Sequence, residues 1–151
     1  MFRGVSVLSL DAKGRIAMPT RYRQPLMEGC EARLVVTVDP DDCLLIYPEP
    51  EWQEIETKVM RLPTLHPQNR RLQRVLVGHA TECEMDGQGR ILIPPPLRTF
   101  AKLEKRVVLI GQGNKFELWD EQRWNDGCQE WMNQGPLDAD SLTPELQQLS
   151  L

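Results

Sequence analysis

The chain has 151 residues, 40% apolar and 26% charged, with a formal net charge of −4. Those proportions describe a globular chain of one or two small domains and exclude collagen-like and disordered classes. About 70% of the extended surface of such a chain is buried on folding, so its core needs no disulfide or metal staple.

Taken in order, Val5 to Leu10 alternate apolar and small polar residues and predict a first strand. Asp11 to Gly14 supply a turn, with Gly14 where a tight connection wants a left-handed residue. Ile16 and Met18 share one face of a returning strand that Pro19 ends. A short helix is expected next, then strands at Leu34 to Val38 and Cys43 to Tyr47 around the turn at Pro40, Asp41 and Asp42. Trp52, Ile55, Val59 and Leu62 recur at helical spacing, with Pro50 suited to the first turn and Glu49 and Glu51 beside the positive end of the helix dipole. Leu72, Val75 and Leu76 mark a further helix that Gly78 can close.

The same plan then recurs. Aligning residues 11–23 with residues 86–98 gives six identities: Asp11 with Asp86, Gly14 with Gly89, Arg15 with Arg90, Ile16 with Ile91, Pro19 with Pro94, and Arg23 with Arg98. Further on, Leu44 to Trp52 lie over Phe116 to Trp124, with three fewer residues between the blocks in the second copy. Each copy reads as strand, turn, strand, short helix, strand, turn, strand, helix. After the second copy, Trp124, Cys128 and Trp131 form a helical stripe read as core, behind Asp120 as a cap. From Leu137 onward only a weak helical signal remains, at Leu142, Leu146 and Leu149.

Charge is segregated along the chain. Residues 1–23 carry +4, 24–57 carry −8, 58–80 carry +5, 81–106 carry +1 and 107–151 carry −6. Phosphate attraction acts over about a Debye length, ~8 Å at physiological salt, so a local basic face can form despite the negative total. Solvated faces that merely cluster are the alternative. Cys30, Cys43, Cys83 and Cys128 contain no Cys-x-x-Cys pair and read as reduced, mostly buried thiols rather than a zinc or disulfide framework. Aliphatic runs such as Val107 to Ile110 fall far short of the ~18 residues of a membrane span, and no secretory pattern precedes the first strand, so a cytoplasmic chain without membrane association is expected.

In each Asp-x-x-Gly-Arg turn the carboxylate can accept hydrogen bonds from the turn's own N–H groups, while the guanidinium four residues on pairs with it or reaches outward. A purely structural staple fits each turn taken singly. Two copies in one pseudo-symmetric unit would bring the turns together, and a pair of basic β-turns is suited to phosphates and groove edges. The first turn is richer in cations: Lys13 is matched by Gln88 and Arg21 by Pro96.

The opening Met1-Phe2-Arg3-Gly4, the block Leu10-Asp11-x-Lys13-Gly14-Arg15, Pro19 to Arg23, Gly78-His79-Ala80 and Asp86-Gly87-x-Gly89-Arg90 together resemble the MraZ family of bacterial transcriptional regulators, over essentially the whole chain. The doubled Asp-x-x-x-Arg turn is the most specific element. The resemblance implies a mainly β fold with added helices (α+β): two tandem AbrB-like swapped-hairpin repeats forming a pseudo-twofold β-barrel unit. On that plan residues 5–52 are the first repeat, 53–80 a helical connector, 81–124 the second repeat, and 125–151 a C-terminal helix and tail. It further implies a homo-oligomeric ring, nucleoid-associated, that binds double-stranded DNA at short tandem promoter repeats and represses its own gene and the division and cell-wall cluster behind it. The residues expected to touch DNA are Arg3, Lys13, Arg15, Arg21, Arg23 and Arg90; Asp11, Gly14, Asp86 and Gly89 shape the turns. Arg70, Arg71 and Arg74 either line the same surface or form a solvated helix face.

No cofactor, metal or catalytic residue is expected. His66 and His79 have no nucleophile or ligand pattern near them, although partners that meet only in space are invisible at this level. Two other classes compete with the DNA reading. One is an antitoxin-like module whose acidic stretch from Glu28 to Glu56 faces a basic partner, and the other is a purely structural ring.

Overall fold

The computed structural model describes residues 1–135 and 142–149. The first copy comprises β1 (Phe2–Ser9), β2 (Arg15–Ala17), α1 (Thr20–Cys30), β3 (Arg33–Val38), β4 (Leu44–Pro48) and α2 (Glu49–Met60). A connector follows, α3 (Pro67–Leu72), running on into a π turn over Gln73–Val77. The second copy repeats the series as β5 (Thr81–Glu84), β6 (Arg90–Leu92), α4 (Pro95–Phe100), β7 (Arg106–Gly113), β8 (Phe116–Asp120) and α5 (Glu121–Asn133), with α6 (Pro144–Gln147) beyond. Prolines stand where helices begin: Pro50 in α2, Pro67 in α3 and Pro95 in α4, positions whose missing N–H costs no intrahelical bond.

Six strands form one antiparallel sheet in the order β1-β7-β8-β4-β3-β5, and β2 and β6 form a separate two-stranded ribbon. The first strand of each copy pairs with the third strand of the other, β1 with β7 and β5 with β3. Reversing the strand order exchanges the copies and leaves the order unchanged, which is the twofold expected of a duplicated, swapped unit. The axis is marked by residues that face their own counterparts: Ile16 opposite Ile91 in the ribbon and Leu45 opposite Glu117 in the sheet.

The expected barrel is corrected in one respect: the sheet does not close. β1 and β5 occupy opposite ends of the sheet and are not paired with each other. The turns after β1 and β5 send β2 and β6 to pair with one another, so the two end strands keep one unpaired edge each. Ribbon, sheet and α1 and α4 enclose one core, in which Ile16, Met18, Ile91 and Ile93 from the ribbon join Tyr22, Leu26, Leu97 and the inward residues of β3, β4, β7 and β8. Each such aliphatic side chain contributes about 1.5–3 kcal/mol on burial. Because strands are exchanged, neither copy can bury its apolar face alone. Residues Met1–Glu121 accordingly form one compact unit.

A second cluster lies on the other face of the first copy, where Val35, Leu45, Tyr47 and Trp52 pack with Ile55, Leu76, Val77 and Ala80. The connector is also hydrogen-bonded there: Thr37 Oγ1 donates to the Leu76 carbonyl at 2.5 Å, and the Gln73 amide donates to the carbonyls of Val59 and Leu62. Gly78 follows the π turn in right-handed conformation, not the left-handed one of a helix-closing glycine; what the position requires of glycine is space, since a side chain there would strike the Arg74 carbonyl.

The second compact unit comprises the residues after Glu121. In α5, Trp124 and Trp131 meet edge to face at 5.6 Å between ring centroids, and Trp131 stays 46% exposed, so this stripe is not the buried core its spacing predicts. Thr143 caps α6 by accepting from the Leu146 N–H at 3.2 Å. Leu137 lies outside the described residues. All four cysteines are free; Cys30 and Cys43 are buried, Cys83 and Cys128 half-buried. No helix among the described residues is long and apolar enough to cross a membrane.

Candidate nucleic-acid interface

The two Asp-x-x-Gly-Arg turns have the same internal geometry. Asp11 Oδ1 accepts from the N–H groups of Lys13 and Arg15, each at 2.9 Å, and its Oδ2 accepts from Arg15 Nε at 2.8 Å. Asp86 does the same with the N–H groups of Gln88 and Arg90 and with Arg90 Nε, all at 2.9 Å. Backbone bonds from Gly14 N–H to the Asp11 carbonyl and from Gly89 N–H to the Asp86 carbonyl close the loops. Gly14 and Gly89 have φ of +85° and +77°, the left-handed region expected of them, where a Cβ would be strained. The Arg15 N–H bond chiefly holds the Asp11 carboxyl below its ordinary pKa, and the Arg90 N–H does the same for Asp86.

Pairing of β2 with β6 brings the turns together. Arg15 stands opposite Leu92 and Arg90 opposite Ala17, so Arg15 and Arg90 are diagonal neighbours, about 7–8 Å apart at their backbones. Ile16 and Ile91 between them are fully buried, which puts Arg15, Ala17, Arg90 and Leu92 on the outward face. Bonds from Met18 N–H to the Gly89 carbonyl and from Ile93 N–H to the Gly14 carbonyl, 2.8 and 2.9 Å, tie each ribbon end to the opposite turn. Gly14 and Gly89 are thus four residue steps apart along the ribbon, about 13 Å at ~3.3 Å per residue. Arg15 and Arg90 are partly exposed, each with Nε on its aspartate and no partner for its terminal nitrogens among the described residues. Lys13 is fully on the surface.

Not every cation from the sequence reading sits on this ribbon. Arg21 lies along β1: its Nη2 donates to Ser6 Oγ at 2.6 Å and to Tyr22 Oη at 3.0 Å, and its guanidinium rests 4.4 Å above the Tyr22 ring. Arg3 is exposed on β1, and its carbonyl accepts from the Tyr22 hydroxyl. Arg23 Nε donates to the Met18 carbonyl at 2.8 Å, and its side chain packs on Gly89 of the opposite turn. Its counterpart Arg98, absent from the expected site, packs in the same way on Gly14. The signal for it was its place as the sixth identity of the repeat. In the connector, Arg70 Nη1 donates to the Thr64 carbonyl at 2.7 Å, while Arg71 and Arg74 are exposed. His79 Nδ1 lies 2.8 Å from the Val75 carbonyl, and no cluster able to hold a metal ion occurs among the described residues.

A family model described as "MraZ protein, putative antitoxin-like" matches the chain twice, over residues 1–75 and 76–141. Among curated relatives, a protein of Thioalkalivibrio sulfidiphilus is 66% identical over 134 residues, 89% of each chain. One of Methylococcus capsulatus is 60% identical over 147 residues, 97% of each chain, and one of Coxiella burnetii is 51% identical over the full length of both. All three are called "Transcriptional regulator MraZ". With a doubled family match that follows the duplicated strands and turns, and relatives of such identity along the whole chain, this protein belongs to the MraZ family.

Proposed function

We propose that the chain is a transcriptional regulator that binds duplex DNA in a sequence-specific manner through the β2–β6 ribbon and its two turns. The observation that carries this reading is the shared outward face of Arg15 and Arg90, with Lys13 exposed beside them. A two-stranded ribbon fits the major groove, about 12 Å wide, and turns about 13 Å apart span roughly four base pairs at ~3.4 Å each. Each arginine is oriented by its aspartate through Nε, which leaves the terminal nitrogens for a base edge or a phosphate. Arg15 reads a base, Lys13 grips phosphate, and Arg90 is the weaker contact of the second turn. Arg3 and Arg21 lie along β1, off the ribbon, and are outlying phosphate contacts.

Magnitudes favour many subunits acting together. Two or three phosphate contacts hold DNA weakly at cellular salt, with a log–log slope near −0.9 per contact. Linking several such sites in a fixed ring raises avidity by ~10² to 10⁴. A homo-oligomeric ring seated on tandem promoter repeats then represses, by occupancy, its own gene and the division and cell-wall cluster that follows, as a cytoplasmic, nucleoid-associated protein without enzymatic activity. Fluorescence anisotropy with DNA from upstream of its own gene tests the reading. Binding is expected to weaken steeply with salt and to drop about 5- to 150-fold for Arg15→Ala, the range of one bidentate base contact. Unchanged affinity in a folded Arg15→Ala protein, or a flat salt dependence, would falsify it.

An antitoxin-like role is the second reading, favoured by the exposed acids Glu28, Glu31, Asp41 and Glu54 of the first copy and by the family description. Pull-down with and without nuclease separates the two: a partner retained after nuclease treatment supports it.

A further inference from the structure

Arg23 of α1 and Arg98 of α4 are equivalent in the repeat, yet each reaches out of its own copy. A Cβ added to Gly14 would sit 2.5 Å from Arg98 Cζ and 2.6 Å from its Nη1, and one on Gly89 would collide with Arg23 Nε. The planar guanidinium therefore occupies the space that a side chain on the glycine would need. A flat, delocalised group suits that slot, and an ammonium on a flexible stem does not. Each of these glycines directly precedes the arginine of its turn and follows Lys13 or Gln88. Its carbonyl is also bonded to the other copy, Gly14 to Ile93 N–H and Gly89 to Met18 N–H. Both turns are thus held on two sides by the opposite half.

The two braces are not equal. Arg23 Nε is satisfied by the Met18 carbonyl, whereas Arg98 Nε is buried with no partner among the described residues. Such a donor is a cost to the folded state. The repeat retains Arg23 and Arg98 while Lys13 and Arg21 are replaced by Gln88 and Pro96.

We propose that Arg23 and Arg98 are positioning residues, each holding the opposite copy's turn in its binding shape through the glycine, with Arg98 serving the turn that carries Lys13 and Arg15. This rests on the DNA reading above and moves Arg23 from DNA contact to brace. Glycine is the residue with the most backbone freedom, so an unbraced turn pays an ordering cost each time it binds.

Hydrogen–deuterium exchange of the full-length protein, read in peptides covering residues 11–15 and 86–90, tests the crossing without DNA. Arg98→Ala is expected to speed exchange in the first peptide and spare the second; Arg23→Ala is expected to do the reverse. Arg98→Lys keeps the charge and the fold but not the plane, and should behave like Arg98→Ala. Salt titration of DNA binding supplies the second readout. Arg98→Ala should lower affinity on the order of tenfold, as for residues coupled by contact, at an unchanged slope, while Lys13→Ala should lower the slope by about 0.9. Faster exchange in the same-copy turn or in neither, full recovery by Arg98→Lys, or a slope loss matching Lys13→Ala overturns the proposal. Crossed exchange in a protein that never binds DNA supports the brace and overturns the DNA reading alone.

Discussion

The two Asp-x-x-Gly-Arg turns share one hydrogen-bonded frame and differ in what they expose. Both aspartates accept the same three bonds at 2.8–2.9 Å. Yet the first turn presents Lys13 where the second presents Gln88, and Arg21 follows the first where Pro96 follows the second. The frame depends on Asp, Gly and Arg, and the positions outside it are free to vary. A similar divergence affects the sheet. Towards one end of the sheet the outer face of β3 and β4 is covered by α2 and by the connector through Leu76, Val77 and Ala80, whereas at the other end the outward Val5 and Val7 of β1 remain 56% and 49% exposed. Duplication supplied a symmetric centre, and the halves diverged away from it.

The symmetric centre is the costliest place to break. Ile16→Ala and Ile91→Ala each remove a fully buried side chain facing its own counterpart, and each should cost about 2–5 kcal/mol in denaturant unfolding. Similar losses for the two variants are expected from the twofold; a large difference would show that the copies contribute unequally even at the axis. Next in size, Arg15→Ala should weaken DNA binding more than Arg90→Ala, with the comparison sharpened by exchanging the neighbours. Lys13→Gln should lower the salt slope, Gln88→Lys should raise it, each by about 0.9, and the double exchange should restore it.

A smaller effect belongs to the connector. Thr37→Val leaves the Leu76 carbonyl without its donor and should cost about 1 kcal/mol, measured by thermal or chemical unfolding. The gentlest test is pH. Asp11 and Asp86 are held below the ordinary carboxylate pKa, so their bonds are fully present above that range and are lost as pH falls through the lowered values. The protection of the Lys13 and Gln88 amides relative to their intrinsic exchange should therefore be constant near neutrality and fall only in acid, in parallel for the two turns.

Much of this was legible in the residues themselves. The turn frame closes within four residues, so Asp, Gly and Arg at fixed spacing suffice to specify it, and the repeat follows from six matched positions. Helical spacing placed α2, and Pro19 and Pro94 marked the strand ends. Other features were not readable. The Trp124 and Trp131 stripe has core spacing, but spacing records only which residues share a helix face and not whether anything covers that face.

What the sequence determined by itself was local: two turns of one frame, the order of elements, and which copy carries more positive charge. The tertiary structure decided which strand each copy lends to the other, that β1 and β5 stay unjoined, that Arg21 lies along β1, and that Arg23 and Arg98 cross to the opposite glycines. These depend on contacts between residues far apart in the chain, whose pairing is selected by how the whole core closes and leaves no periodic trace in either partner's own segment.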